Sequence, residues 1–285
     1  TPVERLGVDA AILFADILLI LEPLGVGLEY SKGDGPVIHR PVRSGKDIDG
    51  LKDFDPEKEL SFVYEAVRKT CQALKNKVPL IGFAGAPFTL ASYLIEGGGS
   101  RNYIHTKKLY YTAPQAWHRL MELLAMLTAK YLNYQIAAGA QAVQIFDSWA
   151  GCLTPADYEQ FVLPHTKAVI EAITPGVPVI NFSTGTAGLL KHVRSAGGDV
   201  IGLDWRVNLD EGWATVGHDV AVQGNLDPVA LFSSPKEIRQ RAGDVLRRAG
   251  GRPGHIFNLG HGVLPETPVD HVIALVDAVH ELSAR

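Results

Sequence analysis

The chain has 285 residues, of which 46% are hydrophobic and 20% are charged. This composition excludes a disordered chain, a collagen and a disulfide-stapled scaffold. The 27 Lys and Arg residues and the 31 Asp and Glu residues give a net charge of −4, and no basic stretch occurs, so nucleic acid is a poor candidate partner.

The most apolar stretch lies near the start of the chain, from Ala10 to Leu28, and is interrupted by Asp16 and Glu22. A membrane-spanning helix needs about 20 predominantly apolar residues, so we expect neither a membrane segment nor a signal peptide here. The two cysteines, Cys71 and Cys152, are too few for a disulfide framework. We therefore expect reduced thiols and a cytoplasmic protein.

Seven short apolar runs recur along the chain, each followed by a pattern typical of a helix. Their content of Val, Ile and Leu without alternation is typical of strands that are buried on both faces. The runs are Ala10–Asp16, Val78–Ala86, Ala140–Ser148, Val177–Ser183, Val200–Trp205, Val220–Asn225 and His255–His261. Their alternation with helices predicts parallel βα units.

These units predict an α/β fold, a (β/α)₈ TIM-type barrel that forms a single domain over residues 1–285. A closed barrel has eight strands, and residues 1–7 are typical of the end of a helix, so we expect the first βα unit to be absent from the sequence. The alternative is an open, doubly wound sheet. Residues 25–42 predict a β-hairpin inserted into the barrel, with its turn at Gly33-Asp34-Gly35.

Several helix starts are visible in the sequence. Thr154, Ser234, Thr267 and Asp55 each precede a proline and then an acidic residue, which is typical of an N-cap followed by the first helical turn. Long amphipathic patterns predict two helices, over 115–138 and 268–282.

Polar residues follow the predicted strands, and in a parallel barrel these ends meet at the active site. They are Asp16, the loop Gly85–Thr89, Asp147-Ser148, Ser183, Asp204-Trp205, Asn225 and His261. We expect a shared pocket, although each residue alone could cap a helix or bond a loop. The sequence has no P-loop, CxxC, HExxH or GxSxG motif, and no lysine ends a strand. These patterns favour acid–base chemistry without a metal, a nucleotide or a covalent nucleophile.

Four long segments, together with LFADILL around Asp16, resemble the uroporphyrinogen decarboxylase family in collinear order. They are GFAGAPFTLASYLIEGGGSRNY (82–103), QIFDSWAGCLTPADYEQFVLPH (144–165), QGNLDP (223–228) and NLGHGVLPETPVDHV (258–272). The resemblance implies a barrel enzyme, usually a homodimer, that needs no cofactor. It implies removal of carbon dioxide from the four acetate side chains of uroporphyrinogen III, which gives coproporphyrinogen III.

The resemblance also implies roles for individual residues. Asp16 matches the aspartate that receives the pyrrole N–H groups, and with Tyr93 and His261 it forms the candidate catalytic set. Tyr93, Ser148 and His261 match polar residues around the substrate carboxylates. Phe83 and Phe146 match hydrophobic wall positions, and Arg101 is a further candidate for binding carboxylates.

One family feature is missing, an N-terminal loop similar to RQAGRY whose arginines meet the substrate carboxylates. We therefore expect the sequence to be a truncated form or a portion of a longer chain, and binding to be impaired if nothing precedes it. Two alternatives stay open: a zinc-dependent corrinoid or thiol methyltransferase of a related barrel, and a non-catalytic porphyrinogen-binding protein. The retained Asp16, Tyr93 and His261 argue against the second.

Overall fold

The computed structural model of the chain describes residues 2–13, 15–31, 35–75 and 77–284. Nine strands are present in these ranges. They are β1 (Ala11–Ile12), β2 (Leu28–Ser31), β3 (Gly35–Ile38), β4 (Leu80–Gly85), β5 (Ala142–Asp147), β6 (Val179–Ser183), β7 (Val200–Gly202), β8 (Ala221–Leu226) and β9 (His255–Leu259). Every apolar run that predicts a strand contains or overlaps one of the seven strands other than β2 and β3.

The seven strands form one parallel sheet in the order β1-β4-β5-β6-β7-β8-β9, with each strand hydrogen-bonded to the next. The order follows the chain and never reverses, whereas a doubly wound sheet reverses at a switch point. The sheet is curled as in a TIM-type barrel, which confirms the predicted fold class. All the carboxyl ends of its strands therefore lie at one edge.

Thirteen α-helices surround or extend this sheet in the described ranges. They are α1 (Pro2–Leu6), α2 (Gly45–Asp49), α3 (Pro56–Glu59), α4 (Ser61–Leu74), α5 (Pro87–Glu96), α6 (Ile104–Thr112), α7 (Pro114–Ala137), α8 (Pro155–Phe161), α9 (Leu163–Glu171), α10 (Leu190–Ala196), α11 (Leu209–Val216), α12 (Pro235–Ala249) and α13 (Val269–Ser283). Short 3₁₀ turns cover Leu19–Leu21, Ala150–Cys152, Ala187–Leu189 and Pro228–Phe232. None of the described helices is long and apolar enough to cross a membrane.

Three of the four predicted N-caps are confirmed. The side chains of Asp55, Thr154 and Ser234 each accept a hydrogen bond from a backbone N–H in the first turn of α3, α8 and α12. The prediction for Thr267 is wrong. Pro268 has an extended backbone (φ −63°, ψ 126°) and itself occupies the cap position, so α13 begins one residue later and the Thr267 hydroxyl caps nothing.

The inserted hairpin is observed as the antiparallel pair β2–β3, with Leu28 opposite Ile38 and Tyr30 opposite Pro36. Gly33 and Asp34 of the predicted turn lie outside the described residues. The Ile38 N–H donates to the Gly97 carbonyl at 2.9 Å, which docks the hairpin on the end of α5. This docking brings β2 to the carboxyl-end side of the sheet.

The hydrophobic core lies between the sheet and its helices, where Trp117 of α7 and Trp213 of α11 are fully buried. Trp117 Nε1 donates to the Phe161 carbonyl at 2.9 Å. The Gln135 side chain of α7 accepts from the Phe83 N–H at 3.0 Å and donates to the Phe83 carbonyl at 2.9 Å. This pair of bonds fixes the middle of β4, and with it the strand end that leads to the candidate site.

Candidate active site

Asp16 lies beyond the carboxyl end of β1 and is half-buried. Its Oδ1 accepts the backbone N–H of Leu18 at 2.7 Å. The Tyr30 phenol of the hairpin lies close enough to this carboxylate for the Asp16 charge to act on it. Asp16 is therefore not turned into a dry interior, and its carboxylate can accept further donors.

Tyr93 of α5 lies close enough to Asp16 for the two side chains to interact electrostatically. Burial raises the pKa of the Tyr93 phenol, and the negative charge of Asp16 raises it further. The pKa of Tyr30 is raised by the same two causes, again with burial the larger. Both phenols stay protonated at neutral pH and remain hydrogen-bond donors beside one carboxylate.

A row of aromatic contacts extends from Tyr93 along the edge of the sheet where the strands end, which we call the rim. The Tyr93 and Trp149 rings lie 5.7 Å apart between centroids, and the Trp149 and Tyr103 rings lie 5.8 Å apart. Ser148 precedes Trp149 and is half-buried, and its carbonyl accepts the Thr184 hydroxyl at 2.6 Å. The structure thus brings Asp16, Tyr93 and the Ser148–Trp149 segment to one region.

Phe83 and Phe146 pack edge to face, with ring centroids 6.0 Å apart and an interplanar angle of 83°. Phe182 extends the cluster at 5.7 Å from Phe146. Phe83 is buried and Phe146 is half-buried. The packing of the two predicted wall residues is observed, and their contact with a substrate stays a prediction.

His261 lies just beyond β9 and belongs to a second group, with Trp205, Arg206 and Asp204. Partial burial of the imidazole lowers the pKa of His261, the positive charge of Arg206 lowers it further, and Asp204 opposes the change. The ring is therefore neutral at neutral pH. Arg101 is exposed in the turn between α5 and α6, and its role stays a prediction.

The expectation of one pocket lined by all the strand-end residues is wrong for Ser183 and Asn225. Both are buried and bonded within the loops: the Ser183 hydroxyl lies 2.8 Å from that of Thr186, and Asn225 Nδ2 donates to the Asp204 carbonyl at 2.8 Å. A buried polar group needs a hydrogen-bond partner, and both side chains find theirs within the loops. Ser183 and Asn225 therefore stabilise the loops and do not line a pocket.

Asp147 is also buried, and its Oδ1 accepts the Thr89 hydroxyl at 2.7 Å. Burial raises its pKa to about 7, although the Thr89 hydrogen bond acts in the opposite direction. Its Oδ2 has no hydrogen-bond partner in the described part of the chain. Asp147 therefore holds a proton over most of the acidic range and does not line an open pocket.

Tyr30 and Arg206 are not found by sequence reasoning. Arg206 directly follows the predicted strand-end pair Asp204-Trp205, and this adjacency could have marked it as a candidate site residue. Tyr30 lies in the inserted hairpin, and nothing in its local sequence indicates that the hairpin folds back onto Asp16.

The cysteines and other metal-binding side chains form no metal cluster: within the described ranges, no group of three or more His, Cys, Asp or Glu residues could hold an ion. Cys71 and Cys152 are both free thiols. Burial raises the pKa of the Cys152 thiol to about 11, so the thiolate is scarce at neutral pH.

Comparison with known proteins identifies the family. The sequence profile described as Uroporphyrinogen decarboxylase (URO-D) matches residues 1–282. The chain belongs to the uroporphyrinogen decarboxylase family. It is 57% identical over 284 residues to the uroporphyrinogen decarboxylase of Carboxydothermus hydrogenoformans, covering 99% of this chain and 81% of that protein. It is 58% identical to that of Chloroflexus aurantiacus (strain J-10-fl), covering 98% and 79% respectively.

Solved structures support the barrel assignment for this member of the uroporphyrinogen decarboxylase family. A methyltransferase from Methanosarcina mazei matches with a TM-score of 0.86 at 19% identity, covering 99% of this chain and 83% of its own. A B12-independent methionine synthase from Shewanella sp. W3-18-1 matches with a TM-score of 0.60 at 12% identity, covering 98% and 84%. Both likenesses concern the fold.

Proposed function

We propose that this chain decarboxylates the four acetate side chains of uroporphyrinogen III and releases coproporphyrinogen III in haem biosynthesis. The observation that carries the proposal is the Asp16 carboxylate, half-buried at the carboxyl-end rim and still able to accept donors. Membership of the family gives this carboxylate its candidate ligand, the pyrrole N–H groups at the centre of the macrocycle.

The chemistry needs an electron sink for the pair released when the C–CO₂ bond breaks. Protonation of a pyrrole ring carbon makes the ring cationic, and the ring then accepts this electron pair. A proton adds to the methylene carbon and the ring carbon releases its own, so each acetate takes up one proton and becomes a methyl group plus CO₂. The substrate thus does the work of a cofactor, and the protein supplies binding, orientation and electrostatics.

Asp16 lowers the barrier by differential binding in this proposal. Its carboxylate accepts pyrrole N–H groups, and it stabilises the cationic ring more than the neutral ring because opposite charges attract more strongly in a partly buried site. Tyr93, Ser148, His261 and Arg101 are proposed to orient the substrate carboxylates, and Phe83 with Phe146 to form the apolar wall.

The test is the Asp16→Asn variant, which keeps the size of the side chain and removes its charge. We expect kcat for uroporphyrinogen, measured anaerobically by coproporphyrinogen formation, to fall at least about 100-fold, as for loss of a preorganised electrostatic group. Asp9→Asn is the matched control, because Asp9 precedes the same strand and pairs with His280 at 3.0 Å, away from the rim.

Near-normal turnover by Asp16→Asn would contradict the proposed role of the carboxylate. Binding of uroporphyrinogen by the unmutated protein without CO₂ release would instead favour a non-catalytic porphyrinogen-binding protein. Stoichiometric zinc together with methyl transfer would favour the methyltransferase alternative. The cytoplasmic location expected from the two cysteines and the homodimer implied by the resemblance also stay predictions, and sedimentation of the purified protein tests the dimer.

A further inference from the structure

Arg206 places a positive charge at the carboxyl ends of the strands, beside His261. Its guanidinium carbon lies 3.9 Å from the centroid of the Trp205 ring. Trp205 in turn meets the His261 imidazole edge to face, with ring centroids 6.1 Å apart and an interplanar angle of 87°. The Arg206 side chain is 49% exposed, so the cation is open to a ligand at this rim.

Asp204 fixes the orientation of this guanidinium. Arg206 Nη1 donates to Asp204 Oδ2 at 2.7 Å, and the side chain of Asp204 is only 2% exposed. The same carboxylate receives the backbone N–H of Arg206 at 3.0 Å and that of Gly185 at 2.6 Å. Asp204 is thus anchored to two loops, and it holds the guanidinium against Trp205 in one geometry.

The edge of the guanidinium formed by Nε and Nη2, which does not contact Asp204, can donate to a ligand. Within the ranges that the structure describes, Nε and Nη2 of Arg206 donate to no acceptor. These two N–H groups form the side-on edge of the guanidinium, and their spacing matches the two oxygens of a carboxylate. Burial lowers the pKa of the His261 imidazole, and the positive charge of Arg206 lowers it further.

We propose that Arg206 is a substrate-binding residue, whose Nε/Nη2 edge binds one acetate or propionate carboxylate of the tetrapyrrole beside His261. The inference rests on the proposed function, because it takes an octacarboxylate as the ligand. A chain with a net charge of −4 repels such a ligand at long range, so its binding depends on cations placed locally. Arg206 is such a cation, held in place before the ligand arrives.

The test compares Arg206→Gln with the unmutated enzyme in anaerobic decarboxylation of uroporphyrinogen. We expect KM to rise about 10-fold with kcat within about twofold, since one charge-assisted carboxylate contact is lost in the ground state and the transition state alike. The increase of KM with added salt becomes shallower in the variant, because one ionic contact fewer is screened.

Two further variants complete the experiment. Arg206→Lys keeps the charge and loses the planar edge, so its KM lies between those of the unmutated enzyme and Arg206→Gln. Arg241→Gln is the matched control, because Arg241 is an exposed arginine of α12 that pairs with Glu237 at 2.8 Å, and its KM stays unchanged.

The outcomes separate this inference from the proposed function. An unmutated enzyme that releases no CO₂ overturns the proposed function whatever Arg206 does. An active enzyme whose KM and salt dependence are the same in Arg206→Gln overturns the inference alone. A lower kcat and a lower Tm at unchanged KM also overturn it, because Arg206 then only supports the loop. If Arg206→Gln does not fold, Arg206→Lys decides: an unchanged KM overturns the inference and a raised KM supports it.

Discussion

The Tyr30 phenol stays protonated beside the Asp16 carboxylate and can donate to it, so we expect a ligand that donates to Asp16 to compete with the phenol. Tyr30→Phe removes this competitor. We expect KM for uroporphyrinogen to fall about 10-fold with kcat unchanged, because a hydrogen bond to a charged group contributes a net stability of about 1.5 kcal/mol. Steady-state kinetics measure the change.

Tyr111→Phe is the control for Tyr30→Phe, since it removes a phenol that donates to an aspartate outside the candidate site, the 2.9 Å hydrogen bond to Asp157. Its KM is expected to match that of the unmutated enzyme. A raised KM in Tyr30→Phe would show that the phenol positions Asp16 for the substrate and does not compete with it.

The candidate residues differ in how far the sequence predicts them. Asp16 and Tyr93 come from unusual motifs, and the structure places them together. Asp147 is equally visible at the end of β5, but its burial depends on how Thr89 and the start of α5 close over it. Tyr30 depends on the docking of the hairpin, and tertiary contacts of this kind leave no local pattern.

Two helices of this chain begin with the same sequence pattern, Thr-Pro-x-Asp, and only one of them is capped by its threonine. The Thr154 hydroxyl accepts the Asp157 N–H at 3.1 Å and donates to its carboxylate at 2.8 Å. Thr267 has no such bond in the described structure. We expect Thr154→Ala to lower the free energy of unfolding by about 1 kcal/mol and Thr267→Ala to leave it nearly unchanged.

Urea unfolding of the two threonine variants measures this difference, and each is the control for the other. An equal loss in both would show that the common motif stabilises through another effect, such as the proline at the helix start. The pair also shows the limit of prediction at this scale. The residue types indicate a helix start, but whether the threonine or the proline takes the cap position depends on the backbone of the preceding loop.

The strands are the elements that the sequence predicts best. Continuous apolar runs correspond to strands covered on both faces for β4 to β8. The prediction is wrong for β1 and β9, the first and last strands of the sheet, where Ile12 and Ile256 are exposed on one face. The strand β1 is the weakest, with two residues in a predicted run of seven, Ala10–Asp16. Leu13, the next residue of that run, packs against the hydrophobic core outside the strand, so its apolar character reflects packing.

For the molecule as a whole, two buried groups act on stability in opposite directions as pH changes. The unfolded chain ionises Asp147 near pH 4, whereas the folded chain holds the proton to about pH 7, so stability is lost as pH rises between these values. Burial and the charge of His118, 2.9 Å away, lower the pKa of His165 to about 4. Its unfolded value is 6.5, so stability is lost as pH falls from 6.5 to 4.

Removing either group exposes the effect of the other. We compare the unfolding free energy of each variant with that of the unmutated protein at the same pH. For Asp147→Asn this difference should be up to about 4 kcal/mol more favourable to the variant at pH 7.5 than at pH 4. For His165→Gln the same difference in unfolding free energy should be up to about 3 kcal/mol more favourable to the variant at pH 4 than at pH 7.5. Urea unfolding across this range measures both.

Asp277→Asn, an exposed position on α13, serves as the control for this pair and should follow the unmutated curve. Curves for Asp147→Asn and His165→Gln that are only offset, and parallel to that of the unmutated protein, would contradict the assignment of these two groups.

The four tryptophans divide evenly between the rim and the interior. Trp149 and Trp205 are half-exposed beside the candidate site, whereas Trp117 and Trp213 are fully buried in the core. A ligand that binds at the rim changes the fluorescence of Trp149 and Trp205, and unfolding changes the fluorescence of Trp117 and Trp213. Intrinsic fluorescence therefore offers two optical signals in one unlabelled protein, one for occupancy and one for integrity.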